Sequence, residues 1–185
     1  VDDVVIKTRH VESLIDDLRL TFDNLRTYDI KLNPEKCVFG VPAGKLLGFI
    51  VSGRGIEANP AKIRALSQLD IPKDLKQIQK LTGCVAALSR FISRLGEKAL
   101  PLYRLLRRTE HFEWTDAATA GLEEIKAILA TNPVLAAPNL GEPMLLYIAA
   151  THQVVSAVLV VERETEGHKF PLQKPVYYVS TVLTP

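Results

Sequence analysis

The chain has 185 residues, with 23 Lys and Arg against 21 Asp and Glu for a formal charge of +2, and 47% of its residues are apolar. That length and balance suit a soluble globular protein with one sizeable core or two small ones. No apolar run approaches the ~18 residues of a membrane span and no charged-then-apolar leader opens the sequence, so an intracellular location with no membrane partner is expected. Cut into segments, the charge is uneven: 8 Lys/Arg against 9 Asp/Glu over residues 1–60, 11 against 4 over 61–110, and 4 against 8 over 111–185. The basic surplus in the middle segment suits a phosphate-contacting surface, and equally a solvated helix face. Cys37 and Cys84 lie far apart among apolar residues and in no CxxC or Cys/His cluster, so both are expected to be reduced core residues.

Taken in chain order, the first feature is the pair Asp2-Asp3 ahead of the apolar run Val4-Val5-Ile6. Adjacent carboxylates before a strand fit a solvated turn, and they also fit a strand tip that holds divalent cations. From about His10 to Tyr28, the residues Val11, Leu14, Ile15, Leu18, Phe22, Leu25 and Tyr28 recur at three- and four-residue spacing, which predicts a helix with one apolar face. Asn33-Pro34 breaks it. Lys36 to Val41 reads as a strand, Pro42-Ala43-Gly44 as a turn, Leu46 to Val51 as a second strand, and Ser52-Gly53-Arg54-Gly55 as a tight turn before Ile56.

From Pro60 the pattern turns helical. Pro60 suits the first turn of a helix carrying Ile63, Leu66 and Leu69, and Pro72 closes the connection that follows it. Asp74 suits the N-cap of a long helix to Leu95, whose apolar stripe is Leu75, Ile78, Leu81, Val85, Leu88, Ile92 and Leu95. A helix from about Leu100 to Arg108 ends in Arg107-Arg108, favourably placed at the negative end of its dipole. Thr115 is the expected N-cap of a helix of about 15 residues that Asn132-Pro133 stops. Strands are then predicted at Met144–Ala150, Val154–Val161 and Val176–Ser180.

The order of these motifs resembles the reverse transcriptase of gypsy-type LTR retrotransposons, in the plant-like branch. The resemblance rests on the Asp-Asp strand, Asn33-Pro34-Glu35-Lys36-Cys37 with Phe39, Leu47 to Ser52 with Gly55-Ile56, Pro60 with Lys62-Ile63, and Arg90-Phe91-Ile92. It continues through Pro101-Leu102, Phe112 with Trp114-Thr115, Pro133-Val134-Leu135 and Ser156 to Leu159. It implies an α+β fragment of a Pol polyprotein: the end of the polymerase palm with a primer-grip hairpin over 1–59, a helical thumb or connection over 60–132, and a truncated RNase H-like mixed sheet over 133–185.

In that family Asp2 and Asp3 would be metal-binding catalytic carboxylates, joined by a third Asp upstream, and two Mg²⁺ ions would assist nucleotidyl transfer in the complete enzyme. Leu47, Gly48, Phe49 and Ile50 match the primer grip. Lys76, Lys80, Arg90, Arg94, Arg107 and Arg108 are candidates for contact with the backbone of an RNA/DNA template–primer. RNase H-type nucleases begin with a metal-binding Asp, and aligning back from Ser156-Ala157-Val158-Leu159 puts Ala149 at its position. An Ala methyl cannot bind Mg²⁺, so this part is expected to be a structural domain or a decayed nuclease. The implied parent is an RNA-directed DNA polymerase in a cytoplasmic particle or the nucleus, with the rest of the polyprotein as partner. The segment alone is expected not to polymerise, the alternatives being a non-catalytic nucleic-acid-binding module and an inactive structural remnant.

Overall fold

The structure is a computed structural model that describes residues 4–8, 10–106 and 112–183. After a short 3-10 turn at Val11–Ser13, helix α1 spans Leu14–Thr27. None of its residues is buried, and Val11, Ile15 and Tyr28 of the expected apolar face are largely exposed. Phe22 meets Phe39 edge-on at 6.4 Å between ring centroids.

The predicted strand at 36–41 does not form. Asn33 Oδ1 accepts from the Glu35 amide and opens a 3-10 turn over Pro34–Lys36, after which the chain reaches Gly40 at a φ of +63° without a sheet partner. The strands lie further on: β1 (Ala43–Leu46), β2 (Phe49–Ser52) and β3 (Gly55–Ala58) form an antiparallel meander. The expected strand 46–51 is therefore folded back on itself. Its turn residues Leu47 and Gly48 have φ of +49° and +79°, the double positive φ that a two-residue hairpin loop demands and that the apolar run conceals. The turn predicted at 42–44 is instead the start of β1, whereas Gly53-Arg54 does connect β2 to β3.

Helix α2 (Pro60–Ser67) begins with Pro60 after Asn59, whose side chain accepts from the Ala61 amide. Asp74 caps α3 (Leu75–Ala86) by accepting from the Gln77 amide at 2.8 Å. The long predicted helix is broken after Ala86: a 3-10 turn at Ser89–Phe91 and Arg94, at a φ of +53°, separate α3 from α4 (Leu95–Leu106). Leu88, Phe91, Ile92 and Leu95 stay buried through the break, so the apolar stripe continues although the helix does not. Helix α4 also starts earlier than expected and runs through Pro101. Thr115 caps α5 (Asp116–Ala130), accepting from the Ala118 amide.

These helices make the core. Ile78, Leu81 and Val85 of α3, Ala99, Leu102 and Leu105 of α4, and Leu122, Ile125 and Leu129 of α5 are buried together with Phe91, Leu66 and Leu135. Each such large side chain contributes about 1.5–3 kcal/mol of transfer free energy. The α4–α5 crossing is close because Gly121 faces the Lys98 carbonyl, where an added Cβ would lie 2.2 Å from the oxygen.

Strand β4 (Val134–Leu135) pairs with β3, so the first sheet has the order β1-β2-β3-β4 and draws strands from both sides of the helical segment. The second sheet holds β5 (Met144–Ala150), β6 (Val154–Arg163) and β7 (Leu172–Val182) in that order. The resemblance implied a mixed sheet, but every pairing among the described strands is antiparallel. In this second sheet short connections join consecutive strands, and such connections cannot join parallel neighbours. Helix α4 docks on this sheet at Gly96, whose amide donates to Ser180 Oγ at 2.8 Å; Ser180 Oγ also lies 2.7 Å from Ser156 Oγ.

Candidate nucleic-acid interface

The expected site residues fall into three groups. Asp2, Asp3, Arg107 and Arg108 lie outside the described residues. The hairpin residues 47–50 and the basic residues of α3 and the following turn are described, and they do different things.

Leu47 is exposed at the hairpin tip. Phe49 points the other way. Its ring packs 5.9 Å from that of buried Phe91, with the Arg90 guanidinium 4.4 Å and the Lys62 ammonium 5.4 Å from its centroid. Arg90 also lies 6.0 Å from the ring of Tyr177 on β7. The hairpin is thus anchored through Phe49, while Leu47 and Gly48 form its outer edge.

Lys76 and Lys80 are exposed and make no ion pair among the described residues. At 100° per residue, positions 76, 80, 83 and 87 form one stripe on the side of α3 opposite the buried Ile78, Leu81 and Val85. The space in front of Gly83 is open, with nothing within 4 Å of where a Cβ would stand. The result is a smooth strip with two free ammonium groups. Sequence reading found its lysines and missed Gly83 and Ala87, although the i, i+4, i+7 spacing was there to be read. Lys62 and Tyr177 were also missed, because only the folded chain brings them to Phe49 and Arg90.

Arg94 differs from the two lysines. Its guanidinium is hydrogen-bonded to Glu97, which holds the Glu97 carboxyl below its ordinary range and raises the guanidinium further. Its charge is therefore already partnered.

In the second sheet, Ala149 pairs with Ser156, which pairs with Ser180, giving a row of small side chains across the three strands. A hard cation needs carboxylate oxygens, and Ala149 has none. Among the described residues no group of three His, Cys, Asp or Glu could hold a metal ion. His152 is exposed in the β5–β6 turn, where Thr151 Oγ1 accepts from the Gln153 and Val154 amides. At the end of β6, Arg163 donates to both oxygens of Glu142 at 2.7 Å and to the Ala137 carbonyl, fastening the loop that leads into β5.

Residues 114–185, which hold α5, β4 and the three-stranded antiparallel sheet, match the family model described as the RNase H-like domain found in reverse transcriptase. Similarity extends over the rest of the chain. It is 27% identical over 188 residues to the retrovirus-related Pol polyprotein from transposon 297 of Drosophila melanogaster, covering 99% of this chain and 16% of that protein. It is 26% identical over 184 residues to the transposon Tf2-3 polyprotein of Schizosaccharomyces pombe, covering 100% of this chain and 13% of that protein. The chain therefore spans less than a fifth of the relatives it matches. Its fold is similar to that of a foamy viral protease-reverse transcriptase solved in complex with RNA/DNA hybrid, with a TM-score of 0.78, 22% identity, and coverage of 96% of this chain and 24% of that one. The sequence similarities support a segment of a retrotransposon Pol polyprotein, and the structural likeness shows the fold.

Proposed function

We propose that this chain is the part of a gypsy-type reverse transcriptase that grips template–primer. In this reading residues 1–59 end the palm, 60–132 form the thumb and 133–185 begin the RNase H-like domain. The observation that carries the proposal is the α3 strip: two unpaired ammonium groups, at Lys76 and Lys80, beside an open glycine on the solvent side of a helix whose other side is core. Such a surface suits the regular phosphate rows of a duplex, held without sequence preference. The foamy viral relative in fold was solved on an RNA/DNA hybrid, which is consistent with that ligand. The Leu47-Gly48 edge of the hairpin would face the primer end.

In the complete polyprotein, Asp2 and Asp3 would join an upstream carboxylate to hold Mg²⁺ for nucleotidyl transfer, with the remaining Pol domains as partners and a cytoplasmic particle or the nucleus as location. The chain alone should not extend a primer, and Mg²⁺-dependent extension by it would contradict this reading. Ala149 favours a structural rather than nucleolytic role for the RNase H-like part, because the first metal ligand of a nuclease is missing from its position.

Binding of the full chain to a labelled RNA/DNA hybrid, followed by fluorescence anisotropy across a salt series, tests the proposal. Affinity should fall steeply with salt, and the double variant Lys76→Ala/Lys80→Ala should flatten the log–log slope by about 1 to 2. Absence of binding at low salt would leave an inactive remnant. Binding that ignores the double substitution would move the interface elsewhere.

A further inference from the structure

We infer that Arg90 is a positioning residue that fixes the β1–β2 hairpin to the second sheet, and that it does not ligate phosphate. Counted by charge, Arg90 belongs with Lys76 and Lys80. Its surroundings are different. It sits in the 3-10 turn that interrupts the long apolar stripe, half-buried, with its guanidinium 4.4 Å from the ring of Phe49 on β2 and 6.0 Å from that of Tyr177 on β7. No carboxylate among the described residues pairs with it. A planar cation between two aromatic rings is held by their negative faces, an attraction that strengthens as water is excluded.

The two rings belong to different sheets, and the next residue, Phe91, is fully buried and packs on Phe49 as well. Arg90 therefore has a fixed base, one ring on the hairpin and one on the second sheet. At the hairpin tip Leu47 is 75% exposed and both tip residues have positive φ, with the Lys62 side chain lying against Gly48. Its orientation is set at Phe49, where Arg90 and Lys62 are the two cations. Exposed charge is carried by Lys76 and Lys80, and placement of the hairpin by Arg90.

The proposal adds a role for Arg90 to the nucleic-acid-gripping reading, and its main test needs no nucleic acid. Hydrogen exchange of the β1–β2 amides is measured in the full chain and in Arg90→Ala, Arg90→Lys and Phe49→Ala. Arg90→Ala should speed exchange about five- to tenfold, the equivalent of one cation–π contact. Arg90→Lys, which keeps the charge but loses the stacking plane, should speed it in the same direction. Adding Arg90→Ala to Phe49→Ala should have little further effect, as expected for two residues acting through one contact. Unchanged exchange in Arg90→Ala overturns the proposal. So does a hybrid-binding salt slope that falls by about one in Arg90→Ala and is restored in Arg90→Lys, the signature of a phosphate ligand. If the parent chain binds no hybrid, the gripping function fails while the exchange result still decides the role of Arg90.

Discussion

Gly121→Ala and Gly83→Ala make the same chemical change in two helices and should shift stability in opposite directions. Both glycines lie within helices, where alanine is intrinsically favoured by about 1 kcal/mol. At Gly83 nothing stands within 4 Å of the new methyl, so that preference should be realised as a gain of up to about 1 kcal/mol. At Gly121 the methyl would stand 2.2 Å from the Lys98 carbonyl oxygen, with the Pro101 ring at 3.9 Å. The obstacle is backbone and cannot rotate away, so α5 must separate from α4 by roughly 1 Å and loosen the contacts around Ala99, Leu102, Leu122 and Ile125. Overpacking of this kind costs about 1–3 kcal/mol or somewhat more, which outweighs the helical preference. For a chain of this length a net loss of about 1–2 kcal/mol lowers Tm by roughly 2–8 °C, whereas Gly83→Ala should raise it by up to about 4 °C. Thermal unfolding followed by circular dichroism measures both. A Gly121→Ala protein that melts at or above the parent would refute the close crossing of α4 and α5.

Two further expectations concern local fastenings. The Glu142 carboxyl is held at about 2, against an ordinary 4.5, first by its hydrogen bonds from Arg163 and then by the Asn139 amide. Because the folded value is the lower one, the stabilisation is complete above about 4.5 and is lost as pH falls from there toward about 2. The Tm difference between the parent and Glu142→Gln should therefore shrink on acidification, and a difference that ignores pH would count against the pairing. Asp74→Ala removes the acceptor for the Gln77 amide at the start of α3 and should cost about 1 kcal/mol in chemical denaturation, with Asp74→Asn retaining most of the stability.

The helical caps were the most legible part of the fold. Asp74 and Thr115 each stand before an apolar periodic stretch, and each accepts the hydrogen bond that its side chain predicts. Strands β5 and β6 were legible from their long apolar runs. Breaks that leave the apolar stripe intact were not: between Ala86 and Leu95 the chain leaves the helix, yet Leu88, Phe91 and Ile92 still face the core, so periodicity carries no trace of the change. The hairpin turn at Leu47-Gly48 was hidden similarly inside an apolar run, with Gly48 its one local signal. For the site, composition identified the basic segment but could not sort its members. Lys76 and Lys80 are exposed, Arg94 is paired with Glu97, and Arg90 lies against two rings. The Arg94–Glu97 pair is local, three residues apart, whereas the rings that hold Arg90 are 41 and 87 residues away and only the tertiary structure brings them to it.

The pairing of β3 with β4 has a consequence for how the chain reaches this structure. Ile56 meets Leu135, about 80 residues downstream, a long loop to close before the contact can form. As the chain emerges from the ribosome, the meander of β1 to β3 is complete long before its fourth strand exists, and β3 must wait with an open edge. The helical segment between them, whose contacts are mostly local, can form in that interval and shorten the distance to be closed. The sheet thus acts as a late clasp around a finished helical unit. A chain cut between α5 and β4 would carry the helical core beside an unsealed strand, the edge through which chains pair with one another.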